Sequence, residues 1–185
     1  MSLTIAIKSL FNIELDNDHL MQMYIASNDP KLLAKLYDNC GDHLFHFLVT
    51  QSSYDMAKDI SQKTWLKVID NKQMYRANGH FKAWLFAIAR HLLIDEIRQQ
   101  RYLTDDGLAV IAAAHIPQTN EAIERAFDEA LLALPFEQRE AFVLQQEGFG
   151  IQQIATITHS ETETVKSRLR YAKQSLRSKL DIYYD

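Results

Sequence analysis

From Thr164 to Leu180 the chain carries Lys166, Arg168, Arg170, Lys173, Arg177 and Lys179 and no acid. Cations at these steps on one helix suit a phosphate backbone and guanine edges, and Thr164 and Ser167 can donate or accept beside them. A second candidate is Asn71 to His80. It offers the amides of Asn71, Gln73 and Asn78, the ring of Tyr75 and the basic groups of Lys72, Arg76 and His80. Unstacked bases are taken up by such a mixture of rings and hydrogen-bonding groups. Taken by themselves, these residues are better read as an ordinary polar connection between helices. A third group, Cys40, His43 and His46, falls three apart. Two such neighbours could share a soft metal, but no fourth ligand is evident. The expectation there is a buried thiol beside two histidines, with no metal and no cofactor. Phosphate-binding, dinucleotide-binding and nucleophile-elbow glycine patterns do not occur. Asp105-Asp106 reads as part of a turn, so no enzyme is expected.

These groups have to be held by helices. Apolar residues recur near helical spacing from Asp55 to Asp70 and again from His80 to Gln100, a run without Gly or Pro. Asp29-Pro30 reads as a helix start, and Gly41 is expected to break that helix before a short apolar one, Leu44 to Val49. Asn17 to Ser27 is a possible extra helix. Strand-like alternation of useful length is missing, so the class is all-α. Between Gln100 and Asn120 stand Thr104-Asp105-Asp106-Gly107 and the small-residue run Ala112 to Asn120, read as a linker. Asn120 can cap a helix that begins at Glu121. Leu134-Pro135 separates two helices, the second running to Glu147, where Gly148-Phe149-Gly150 ends it. A short helix from Ile151 to Thr158, a polar turn and a longer basic helix then make a helix-turn-helix, with Val165 and Leu169 facing inward. The organisation expected is 1–100 as one helical domain, 101–120 as a flexible linker, and 121–185 as a second domain of winged-helix-like kind.

Composition narrows the function. One cysteine in 185 residues excludes an intramolecular disulfide and points to a reducing compartment. No apolar run approaches the length needed to span a bilayer, and no convincing signal peptide is present, so a cytoplasmic protein without membrane contact is expected. The net charge of −4 conceals an uneven distribution. Residues 1–100 carry 11 basic and 11 acidic side chains, 101–150 carry 3 and 9, and 151–185 carry 6 and 4. Non-specific polyanion binders are basic throughout. Here any nucleic-acid contact is local, and the acidic stretch suits a protein partner.

Two sets of motifs, in order, resemble a known family. Leu134-Pro135, Gln138-Arg139-Glu140-Ala141-Phe142, Ile154-Ala155, Thr164-Val165-Lys166-Ser167-Arg168-Leu169 and Ala172 are similar to the −35-binding domain of bacterial sigma factors. The type is the extracytoplasmic-function (ECF) group of the sigma-70 family. Ala57 to Trp65 is similar to that family's polymerase-binding helix. Phe81-Lys82-Ala83-Trp84-Leu85, Ile88-Ala89-Arg90 and Ile94 to Arg98 are similar to its −10 segment. The resemblance implies that Asp59, Gln62 and Trp65 meet core RNA polymerase. It implies −10 contacts from Asn71, Tyr75, Arg76, Asn78, His80, Lys82, Arg90, His91 and Arg98. For the −35 element it implies Thr164, Lys166, Ser167, Arg168, Arg170 and Tyr171. Partners implied are core polymerase, promoter DNA and an anti-sigma factor, with the linker threading toward the polymerase active centre. The sequence departs from the family pattern at His91, where Asn is usual, at His159, where Gly is usual, and at Ser160, where an apolar residue is usual. Histidine adopts a left-handed turn less readily than glycine, so the departures at His159 and Ser160 bear on the geometry and sequence preference of the recognition helix. Two other readings stay open: a free-standing helix-turn-helix regulator with an N-terminal ligand or dimerisation domain, and a degenerate sigma-like protein that sequesters a partner.

Overall fold

The computed structural model of the chain describes residues 16–76, 80–103 and 122–181, and among these every regular element is helical. The N-terminal half contains α1 (Asn17–Ser27), α2 (Pro30–Gln51), α3 (Tyr54–Asp70), a 3₁₀ turn at Lys72–Met74, and α4 (Phe81–Leu103). The C-terminal half contains α5 (Ala122–Leu132), α6 (Phe136–Gln146), α7 (Ile151–Thr158) and α8 (Thr162–Leu180). No helix among the described residues is long and apolar enough to cross a membrane. The expected linker falls almost wholly outside the described residues, as do Asn120 and the Thr104–Gly107 turn.

Local chemistry sets the ends. Asp29 accepts from the Lys31 amide at 2.9 Å with Pro30 just inside α2, and Ser53 accepts from the Met56 amide at the start of α3. Gly148, with φ of 89°, turns the chain after α6. Gly41 does not break α2, contrary to expectation. The helix is continuous through it, with Cys40, Leu44, Phe47 and Leu48 fully buried along one stripe. A lone glycine costs a helix about 1 kcal/mol, less than the burial of one of those side chains returns.

In each half the core gathers on its longest helix. In the first, Leu36, Leu44, Phe47, Ile60, Phe81, Leu85, Phe86 and Leu93 are essentially inaccessible. In the second, Leu144, Ile154, Val165, Leu169 and Ala172 form the seam under α8. The halves are docked on each other: α6 lies on α2, and α7 lies on α4. Phe149 stands edge-on to Phe86 at 4.8 Å between ring centres.

Candidate nucleic-acid interface

The turn between α7 and α8 decides how the basic helix is presented. His159 takes the left-handed conformation, φ 50° and ψ 46°, in place of glycine. The Ser160 amide donates to the Ala155 carbonyl at 3.0 Å and the His159 amide to Thr156 at 3.4 Å, the paired bonds of a Schellman end. Histidine therefore keeps the left-handed turn here, and the helix-terminal bonds hold the strained residue in place. Ser160 has a second use. Its hydroxyl accepts from Arg168 Nη1 at 2.8 Å, which ties the turn to α8.

With Val165 and Leu169 buried, α8 turns Thr164, Lys166, Arg170 and Tyr171 outward, while Ser167 and Arg168 are half-buried. Lys166 pairs with Glu163 at 2.6 Å, and Arg170 lies over the Tyr171 ring at 4.9 Å. Ion pairs as exposed as the first are weak and yield readily to phosphate. An open groove of about 780 Å³ runs along this face, and Lys166, Arg170, Lys173 and Arg177 line it.

The second candidate surface begins where α1 meets the start of α4. Asp18 accepts from the backbone amides of His80 at 3.1 Å and Phe81 at 3.2 Å, and from the Tyr75 hydroxyl. This carboxylate from α1 caps the N-terminus of α4 and fixes both ends of the loop before it. No pattern local to residues 71–82 announces a cap 63 residues upstream. Tyr75 is 8% exposed, and burial first and the Asp18 hydrogen bond second push its phenol well up. Its ring packs on Trp84 and Phe81 rather than facing solvent. Trp84 is half-buried in this cluster.

Of the other −10 candidates, Arg76, His80, His91 and Arg98 are exposed and Asn71 is half-buried, with His91 paired to Asp95 at 3.1 Å. Asn78 lies outside the described residues. Lys82 and Arg90 turn toward the C-terminal half. Lys82 donates to the Glu147 carbonyl at 2.7 Å, and Arg90 holds Glu140 through two bonds, 2.7 and 3.2 Å. Two of the acids expected to face a separate protein thus face this chain's own cations. Arg76, His80 and Trp84 share a cleft of about 470 Å³ with Gln152, Gln153 and Thr156 of α7.

On α3, Asp59 and Gln62 are exposed beside Leu66, which is 59% exposed. Trp65 departs from its expected role as a contact. It is 8% exposed and rests against the Tyr37 ring at 5.2 Å, so it supports the helix rather than its outer face. Cys40 is buried, and burial pushes its thiol up to about 11. No group of three or more potential ligands among the described residues is arranged to hold a metal.

Comparison with known proteins agrees with both halves. Residues 36–102 match the family described as sigma-70 region 2, and residues 124–176 match sigma-70, region 4. The ECF RNA polymerase sigma factor EcfG of Rhodopseudomonas palustris (strain TIE-1) is 32% identical over 126 residues, 66% of this chain and 70% of EcfG. The chain belongs to the ECF sigma factors of the sigma-70 family. A second ECF sigma factor, SigL of Mycobacterium tuberculosis, is 30% identical over 160 residues, covering 82% of this chain and 90% of SigL. Among solved structures, the sigma factor RpoE bound to the anti-sigma factor NepR from Bartonella quintana has a TM-score of 0.66 and 28% identity. It covers 75% of this sigma factor and 90% of RpoE. CnrH, solved with the cytosolic domain of CnrY, shares the fold: TM-score 0.67, 20% identity, 90% and 99% coverage. The region 2 match occupies the place that a free-standing regulator would give to a ligand or dimerisation domain.

Proposed function

We propose that this sigma factor directs core RNA polymerase to its promoters by dividing the work between its halves, 1–100 and 121–185. Exposed Asp59 and Gln62 on α3 meet the polymerase. The start of α4, with Arg76, His80, Lys82 and Arg90, takes up the −10 strand. The outer face of α8 enters the groove at the −35 element. The single observation behind this division is the basic face of α8, without acid from Thr164 onward, presented to solvent by a helix-turn-helix whose turn is held by its own backbone bonds. Thr164 and Lys166 sit in its first turns, where base edges come within reach, while Lys173 and Arg177 fall further along, beside the phosphates. An anti-sigma factor is the expected inhibitor, by likeness to the relative solved with NepR. The protein supplies recognition and strand capture, and catalysis of RNA synthesis belongs to the polymerase.

The test is transcription in vitro with core polymerase on a library of genomic fragments, using wild type and Lys166→Ala/Arg170→Ala. Wild type should select a small promoter set. The double variant should lose −35 recognition while retaining polymerase binding, with a salt dependence shallower by about 0.9 for each phosphate contact removed. Loss of polymerase binding instead would move the DNA surface off α8.

A further inference from the structure

Beside the Arg90–Glu140 pair, Glu147 at the end of α6 gathers a second cluster of polar contacts between the two halves. Its oxygens face two histidines one turn apart on α2: His43 Nδ1 lies 2.6 Å from Oε2, and His46 Nδ1 lies 2.6 Å from Oε1. Lys82 of α4 reaches the same residue, 3.9 Å from Oε2 and 2.7 Å from its carbonyl oxygen. The Lys82 ammonium also lies over the rings of Phe86 and Phe149, at 5.7 and 5.4 Å. The carboxylate is 6% exposed, whereas the histidine side chains are 55% and 59% exposed. The acceptor is thus shielded while its donors exchange protons freely with water.

We propose that His43, His46 and Glu147 form a proton-operated clasp that holds α6 and α7 down over the start of α4, shutting the −10 surface when the histidines carry charge and loosening when they lose it. The link to −10 binding rests on the function proposed above; the clasp itself does not. The covering is visible in the residues it occupies. Glu147 and Glu140 engage Lys82 and Arg90, Gln153 Nε2 approaches His80 Nδ1 at 3.4 Å, and α7 walls the cleft beside Arg76.

The direction of the pH response follows from the groups that face one another. The hydrogen bond to Glu147 holds the His46 imidazole above its ordinary 6.5; burial opposes this, and the charges of Glu147 and of Asp128 on α5 add to it. That contribution is present below 6.5 and is lost as pH rises through the raised value. Burial alone would raise Glu147, but the bonds and charges of His46 and His43 outweigh it and hold the carboxyl below its ordinary 4.5. Its contribution is present above 4.5 and fails only in stronger acid. The full grip therefore spans about 4.5 to 6.5 and relaxes through and above neutrality. Asp128 is raised by burial first and by Glu124 second, from 3.8. His80, opposite Gln153, is another imidazole at the contact between the halves, and it must be separated by mutation.

A charge-assisted hydrogen bond is about twice as strong as a neutral one, so each histidine that loses its proton should lower the closed-to-open ratio by roughly fivefold. The experiment uses the full chain with a dye pair on Lys58→Cys and Ser178→Cys, both exposed and on opposite halves, Cys40 being buried. Energy transfer should fall from pH 6 to pH 8, and the urea midpoint should fall with it. His43→Gln/His46→Gln alters two exposed side chains; it should be more open at pH 6 and insensitive to pH. Glu147→Gln should behave alike, and if it does not fold, the histidine variant alone decides. Wild-type transfer and midpoint that do not change between pH 6 and pH 8 overturn the clasp. A histidine variant that keeps the wild-type response overturns it equally and moves the response to His80. Neither measurement needs polymerase or DNA, so the clasp can fail while the transcription result stands, and the reverse.

Discussion

Removing Arg90 tests whether the halves are joined as described. Its guanidinium makes two bonds to Glu140, whose side chain is 0% exposed, while the Arg90 side chain is 16% exposed. Burial raises the Glu140 carboxyl, and the bonds and charge of Arg90, with Arg168 behind it, pull the other way. Arg90→Ala deletes the larger part of the opposing force and leaves a buried carboxylate without its hydrogen-bonded partner, with only Arg168 behind it. Breaking a buried pair from one side costs about 3–5 kcal/mol. For a chain of this size that is a fall of roughly 6–20 °C in Tm, at roughly 2–4 °C for each kcal/mol. Glu140→Gln should cost less, because the amide oxygen still accepts a bond, and replacing both residues with Leu should be near neutral. The defect has a pH signature. A carboxyl raised above 4.5 in the folded chain contributes stability below that value and loses it as pH rises, so Arg90→Ala should be closer to wild type at pH 4.5 than at pH 7.5. Urea unfolding of wild type, the two single variants and the double-Leu variant at both pH values supplies the energies. A cost for Arg90→Ala below about 1 kcal/mol, or equal at both pH values, would refute a buried interdomain pair.

Asp59→Arg reverses a charge on an exposed face of α3 and should sharply reduce co-purification with core polymerase without altering the thermal midpoint; unchanged co-purification places that helix outside the interface. His159→Gly relieves about 1–2 kcal/mol of left-handed strain and gives back about 0.4–1 kcal/mol in unfolded-chain entropy, so it should raise stability by up to about 1 kcal/mol in urea titration, with −35 binding retained; a clear loss of stability would show the imidazole to be needed for more than its conformation.

Much of the framework is legible in the sequence because it is local. α1 and α7 end where capping and turn residues place them, and the seam of Val165 and Leu169 follows from spacing alone. What spacing does not carry is which surfaces meet. Arg90 and Glu140 stand 50 residues apart, and His46 and Glu147 stand 101 apart. Nothing periodic connects such pairs. The one available signal was the acidic stretch 101–150, whose complement turns out to include cations of the same chain. Asp18 was invisible for the same reason: its partners lie in the backbone of a distant helix start. Gly41 shows the converse, a local rule overridden by the core on which α2 rests.

The cleft shared by the halves has an optical consequence. Of the two tryptophans, Trp84 lines that cleft opposite Gln152, Gln153 and Thr156, while Trp65 is buried against Tyr37 on another face. Parting the halves wets one indole and leaves the other dry. The protein therefore carries its own emission gauge, in which a red shift reports separation against a constant background and requires no label.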